Sequence, residues 1–218
     1  MSAVIHPEPE DVESRLAALG LTERVLLEAV REGLLAWASC TPHHPLNFPG
    51  LAAWGETVRA LRDGLVPLGW TSNEDGGLPR VVNAAGRIAL TAATGNEGTG
   101  RLELPLSTNN NKGARTAKLA AVNHEQAELF ARNEYVIKAS HGPIQLTTWM
   151  LLFHRDEVNR ELRCELACPL SISQEGFIDA WSERIILSPT PFDDDTITRL
   201  GEDDPQGPSI NVKIKRRA

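Results

Sequence analysis

Apolar positions along the amino-terminal third of the chain recur with helical spacing. In "LTERVLLEAVREGLLAWASC", Val25, Leu26, Ala29, Val30, Leu34 and Trp37 follow the three-four period of one buried face, and Thr22 stands where an N-cap belongs. This pattern predicts helices over 11–19 and 22–39. "CTPHHPLNFPG" (40–50) holds three prolines and ends the second helix. Leu51, Trp54, Val58, Leu61 and Leu65 then lie on one stripe of a third helix, with Arg59 and Arg62 beside it. After Gly69 the period changes. "RVVN" and "RIALTAAT" read as a hairpin around Ala85-Gly86, with Asp75-Gly76-Gly77 as an earlier turn. A helix is expected from about Thr116 to Arg132. "TTWMLLFH" is a continuous apolar run, as in a strand covered on both faces. "ELRCELAC" alternates: Leu162, Cys164, Leu166 and Cys168 share one face and Glu161, Arg163 and Glu165 the other. "RDEVNR" connects these two strands, and "FIDAW" and "ERIILSP" read as two further short runs.

The fold class this predicts is α+β: an N-terminal helical layer packed on a mixed, mainly antiparallel sheet, with one crossing helix. The expected organisation is one domain over 1–192, with a helical layer at 11–66 and sheet plus helix at 69–192. An acidic, proline- and glycine-containing linker and a basic, strand-like tail follow at 193–218. Trp54 and Trp149 are expected in the core; Trp70 and Trp181 lie next to turns, where exposure is open to them.

Charge narrows the classes. The net charge is −7, so the chain as a whole does not have the basic excess of a polyanion binder. Lys213, Lys215, Arg216 and Arg217 concentrate positive charge in the tail, however. No apolar run reaches the roughly 20 residues of a membrane helix, and the acidic start lacks a basic and apolar leader. Three cysteines do not make a disulfide framework. A cytoplasmic protein with no membrane contact is expected.

The densest polar stretch, "TAATGNEGTGRLELPLSTNNNKGARTAKLAAVN" (91–123), raises the question of an anion site. Gly95, Gly98 and Gly100 follow a strand, as nucleotide loops do. Yet "RLELPL" comes next, strand-like and broken by proline, where a dinucleotide loop requires a helix. Gly-Lys-Ser/Thr is also missing, so this cluster reads as turn glycines with positive φ. "NNNKGART" does precede a helix. Lys112, Gly113, Arg115 and Thr116, with Thr116 as N-cap, are therefore the anion- or phosphate-binding candidates.

Other chemistries fit less well. A nuclease metal site of the PD-(D/E)xK kind needs a carboxylate two residues before a lysine; Asn110, Thr116, Val136, Asn211 and Lys213 occupy those places. Cys164 and Cys168 on one strand lie about 13 Å apart, too far for one zinc, and Cys40 with His43 or His44 offers half a site. "HEQAE" has the spacing of a zincin helix with Glu128 in place of the second histidine, so His124 and Glu128 are the weak metal candidates. No cofactor is expected and no catalytic residue is assigned. Ser140 and His141 are sequence neighbours, a poor geometry for a nucleophile and its base.

"PGLAAWGETVRALRDGLVPLGW", "TAATGNEGTG", "STNNNKGART" and "TTWMLLFHR…ELRCELACPLSI…GFIDAWSERIILSP" together resemble a family of uncharacterised bacterial proteins. The resemblance spans about residues 15 to 192. It implies a setting near mobile-element or anti-phage genes and transfers no site residue. The expected function is a non-catalytic interaction subunit of a bacterial multiprotein system, with a protein partner. The alternative is a nucleic-acid or phosphate-ligand binder, diverged from a nuclease, that uses the 109–118 loop and the tail.

Overall fold

The computed structural model describes residues 3–74, 77–132 and 146–192, with side chains omitted at 128–132. Elements run in the order β1 (Val4–His6), α1 (Pro9–Ala18), α2 (Glu23–Ala38), α3 (Phe48–Leu65), β2 (Thr71–Asn73), β3 (Arg80–Val82), β4 (Ile88–Thr94), α4 (Ala114–Arg132), β5 (Thr147–Asp156), β6 (Glu161–Ile172), β7 (Ile178–Ile186) and β8 (Thr190–Pro191). The strands form one mixed sheet in the order β1-β7-β6-β5-β4-β3-β2, and β8 pairs with the start of β6. Two neighbouring pairs, β1 with β7 and β4 with β5, are parallel; the others are antiparallel. This is the expected α+β class with a mixed, mainly antiparallel sheet.

Three helices cover one face of the sheet. Thr22 caps α2 through a bond from Val25 N to its Oγ1 at 3.5 Å. Leu16, Leu26, Val30, Leu34, Leu61 and Leu65 meet Leu90, Trp149, Leu151, Phe153, Cys164, Leu166 and Ile185 in one apolar core. Helices α2 and α3 approach closely at Gly33. A Cβ there would stand 2.2 Å from Thr57 Oγ1 and 2.6 Å from Ala53 O, so any larger residue would force the helices apart. At the sheet's edge, the Glu183 carboxylate of β7 accepts hydrogen bonds from Arg15 Nε and Nη2 and bonds His6 Nε2, which ties β1 and α1 to it.

The other face is covered differently. A smaller apolar group of Ala93, Leu106, Met150, Leu152, Ala167, Ile178 and Trp181 lies there, together with Arg163, Glu165 and Arg184, which are also buried. Helix α4 packs against β5 and β6. Its buried Asn123 acts as a substitute peptide group where those strands part. Nδ2 donates to Thr148 O at 2.9 Å and to Pro169 O at 3.0 Å, while Oδ1 accepts from Thr148 N at 3.1 Å.

Several expectations need correction. Helix α4 starts at Ala114, so Thr116 lies inside its first turn, buried, and is no N-cap. The run "RLELPL" is not a strand; around it only an isolated bridge joins Gly95 to Thr108. "FIDAW" and "ERIILSP" belong to the single strand β7, because β6 pairs along its length through an irregular register at Pro169. Trp70 and Trp181 are buried, and the Trp181 indole donates to Leu106 O at 3.1 Å. An indole beside a turn is buried when its N–H finds a carbonyl there.

Candidate functional site

The first question is what the glycine-rich stretch holds. Its two ends are zipped together: Asn96 N donates to Ser107 O at 2.9 Å and Asn109 N to Thr94 O at 2.9 Å. Asn96 also bridges the loop internally, with Nδ2 to Pro105 O and Oδ1 accepting from Gly98 N and Ser107 N. The result is a compact loop, closed at its base, of the Ω type. It folds over the polar face of the sheet. Arg184 Nε donates to Glu165 Oε2 at 2.8 Å, and its Nη2 reaches Gly98 O and Arg101 O at 3.2 and 3.0 Å. Gly100 N donates to Glu165 Oε1 at 3.3 Å. Burial pushes the Glu165 carboxyl up, and the bonds from Arg184 and Gly100 oppose that.

Only one of the three glycines has the positive φ expected of all of them: Gly100, at 68°. Gly95 and Gly98 are there for space instead. A Cβ on Gly95 would lie 2.0 Å from Thr99 Oγ1, and one on Gly98 would lie 2.2 Å from Pro105 O. One loop N–H, that of Gly100, is turned onto the Glu165 carboxylate and two loop carbonyls onto Arg184, so these groups serve the protein's own ion pair.

The 109–118 candidates separate. Arg115 and Gly113 are exposed at the amino end of α4, and Gly113 O accepts from Thr116 N and Ala117 N. Lys112 is half-buried; its backbone N–H is bonded to Gly176 O at 2.6 Å, and burial lowers its ammonium pKa. Thr116 is buried. Lys213, Lys215, Arg216, Arg217, Ser140, His141 and the 193–208 segment lie outside the described residues. His124 is exposed on α4, and the Glu128 side chain is not described. Among the described residues no three His, Cys, Asp or Glu side chains converge as a metal site. His44 is held by a bond from Thr41 N to its Nδ1 at 2.9 Å and stacks on Phe48 at 4.8 Å; Cys40 donates to Ala36 O. Burial pushes the Cys164 thiol up to about 12 and that of Cys168 up to about 11, so both stay protonated and unreactive at neutral pH.

A different place has the shape of a binding site. At the carboxyl ends of the parallel strands β4 and β5, beneath the α2–α3 hairpin, lies a cleft of about 230 Å³. Leu34, Ala53, Phe153 and Leu162 line it, with Thr94 and Asn109 at one end and Trp37 and Arg155 at another. The Arg155 guanidinium carbon lies 3.7 Å from the Trp37 ring centre and 5.1 Å from that of Phe192. Immediately outside, at the α2–α3 corner, Leu46 is fully exposed, Leu51 more than half so and Phe48 about a third. Sequence periodicity passes over Leu46 and Phe48 and places Leu51 on the apolar stripe of α3, where the structure instead leaves it more than half exposed at the helix start. The only signal was apolar side chains in a proline-rich connection, and an arginine ending an apolar strand.

Comparison with protein-family models, with curated proteins and with solved structures finds no match to this chain. No helix among the described residues is long and apolar enough to cross a membrane.

Proposed function

We propose that this chain is a non-catalytic interaction subunit of a bacterial multiprotein system and that it docks a protein partner through the α2–α3 corner. The observation that supports this reading is the exposure of Leu46, on the α2–α3 connection, together with that of Phe48 and Leu51 in the first turn of α3. Large apolar side chains grouped on a surface mark contact sites. Pro42, Pro45 and Pro49 restrict the backbone of this stretch, so less freedom is lost on docking. Anti-phage defence is the setting that the family resemblance suggests for it.

The test is capture from the native host with the full chain and with Leu46→Ser/Leu51→Ser. A partner that co-purifies with the parent and is lost from the variant supports docking at the corner. A protein recovered alone, or one that keeps the same partner after both substitutions, refutes it.

A further inference from the structure

The cleft behind the corner has its own chemistry. Strands β4 and β5 run parallel, and crevices beyond the carboxyl ends of parallel strands are common binding places. Helices α2 and α3 roof the space without filling it, because Gly50 and Ala53 present almost no side chain to it. Its polar end is built by a strand end and the returning Ω loop. Thr94 and Phe153 are register partners in β4 and β5, so their side chains share the face beneath the helices. The Thr94 hydroxyl accepts from Asn110 Nδ2 at 3.2 Å, which leaves its own hydrogen to donate. Asn109 is held beside it by the bond from its backbone N–H to Thr94 O, and its side-chain amide makes no hydrogen bond among the described residues.

We propose that this cleft binds a small neutral amphiphile: an apolar body of about six to ten carbons lying against Leu34, Ala53, Phe153 and Leu162, and an uncharged carboxamide head held by Thr94 and Asn109. Size and lining decide the body. About 230 Å³ is below the roughly 300–1,000 Å³ of pockets for drug-sized ligands, and the side chains that line it are mainly apolar. The head follows from what its partners can do. Asn109 offers a donor and an acceptor, and Thr94 a second donor. A carboxamide answers all three, meeting the Asn109 amide through N–H···O bonds in both directions. A carboxylate would leave Asn109 Oδ1 without a donor, and an ammonium would leave both donors without an acceptor. Charge points the same way. Arg155, the cation of the lining, already lies on Trp37 and Phe192 and pairs with Glu157. His154 alternates to the other side of β5, where its Nδ1 donates to Gly95 O at 3.2 Å. An ion entering the cleft therefore loses water without gaining a counter-charge.

The site does not depend on the docking reading, and the two are tested apart. Purified full-length protein is titrated calorimetrically with octanamide, octanoate and octylamine. Octanamide is expected to bind at least about fivefold more tightly than either ion. Asn109→Ala keeps the backbone bond to Thr94 and weakens octanamide about fivefold, the worth of a hydrogen-bonded amide. Asn109→Asp puts a carboxylate in the same place, so octylamine gains about fivefold and overtakes octanoate. Ala53→Leu and Leu34→Phe fill the cleft from two different helices, and each weakens octanamide at least about tenfold, with an unchanged melting transition showing that the fold survives. Leu46→Ser/Leu51→Ser leaves octanamide binding as it was. Octanoate or octylamine that binds the parent protein as tightly as octanamide overturns the neutral head group. Octanamide affinity unmoved by Asn109→Ala overturns its placement on Asn109. Octanamide binding that survives both filling substitutions, or no binding at all, overturns the site.

Discussion

The two faces of β5 and β6 are buried by different means. On the helical face, Trp149, Leu151, Phe153, Cys164 and Leu166 meet side chains of α1, α2 and α3 in one apolar cluster. On the opposite face, Arg163, Glu165 and Arg184 are as deeply buried, and what covers part of them is a loop without regular structure. The first face is held by area removed from water, which tolerates small shifts. The second depends on each charged group keeping its partner, because a buried charge left alone is costly. The same two strands thus belong to a forgiving core on one side and to an exacting polar assembly on the other.

The largest expected effect separates them. Glu165→Ala leaves the Arg184 guanidinium buried with only two carbonyls to answer it, and should cost about 3–5 kcal/mol. Glu165→Met/Arg184→Met should recover most of that loss, since an apolar pair removes both charges. It should not recover all of it, because Gly98 O and Arg101 O lose their donor. Urea titrations of the three proteins read this directly. A single substitution no worse than its double would show that pairing is not what holds the polar face.

Glycines give the next comparison, since both faces have one that admits no Cβ. Gly33→Ala drives a methyl into Ala53 O of α3, and Gly98→Ala drives one into Pro105 O. Each should cost up to about 3 kcal/mol. The results should differ in kind. The helix pair cannot yield locally, so Gly33→Ala should lower the global midpoint. The Ω loop can lift, so Gly98→Ala should show faster amide exchange across 95–108 with a smaller change in midpoint. Equal global losses would mean that the loop unfolds only with the core.

These contrasts explain which parts could be read in advance. Helices α2 and α3 and the β5–β6 pair were legible because they face an apolar core, and apolar burial leaves a period in the sequence. Thr22 was legible as a cap because capping is local. The polar face was not, since Arg163 and Glu165 alternate just as water-facing residues would, and nothing nearby in sequence names Arg184 as the partner. Gly95 and Gly98 looked like turn residues, yet what they answer to is Thr99 and Pro105 in space. The cleft went unread because it consists of missing volume at Gly50 and Ala53, and absent side chains leave no pattern.

The smallest expected effect tests the hairpin end of the polar face by pH. Asp156 closes the turn after β5: Oδ1 accepts from Asn159 N and Val158 N, both at 3.0 Å, and Oδ2 from Asn159 Nδ2 at 2.8 Å. Arg101 donates to Oδ2 at 2.9 Å. The bond from Asn159 N, followed by Asn159 Nδ2, Val158 N and Arg101, holds the carboxyl below its usual value against the opposing effect of burial. A carboxylate whose folded pKa is depressed contributes stability above its unfolded pKa, near 3.8 here, and loses it as pH falls through the lower folded value. Asp156→Asn should therefore cost about 1.5 kcal/mol at neutral pH, where the charged bonds are lost. That deficit should stay level while the pH remains above the unfolded value and narrow below it, as the parent protein loses the same bonds by protonation. Urea midpoints at pH 7, 5 and 3 would show the convergence. A deficit that persists unchanged at the lowest pH would mean that the side chain acts through its shape in the turn, and that its charge adds nothing to the polar face.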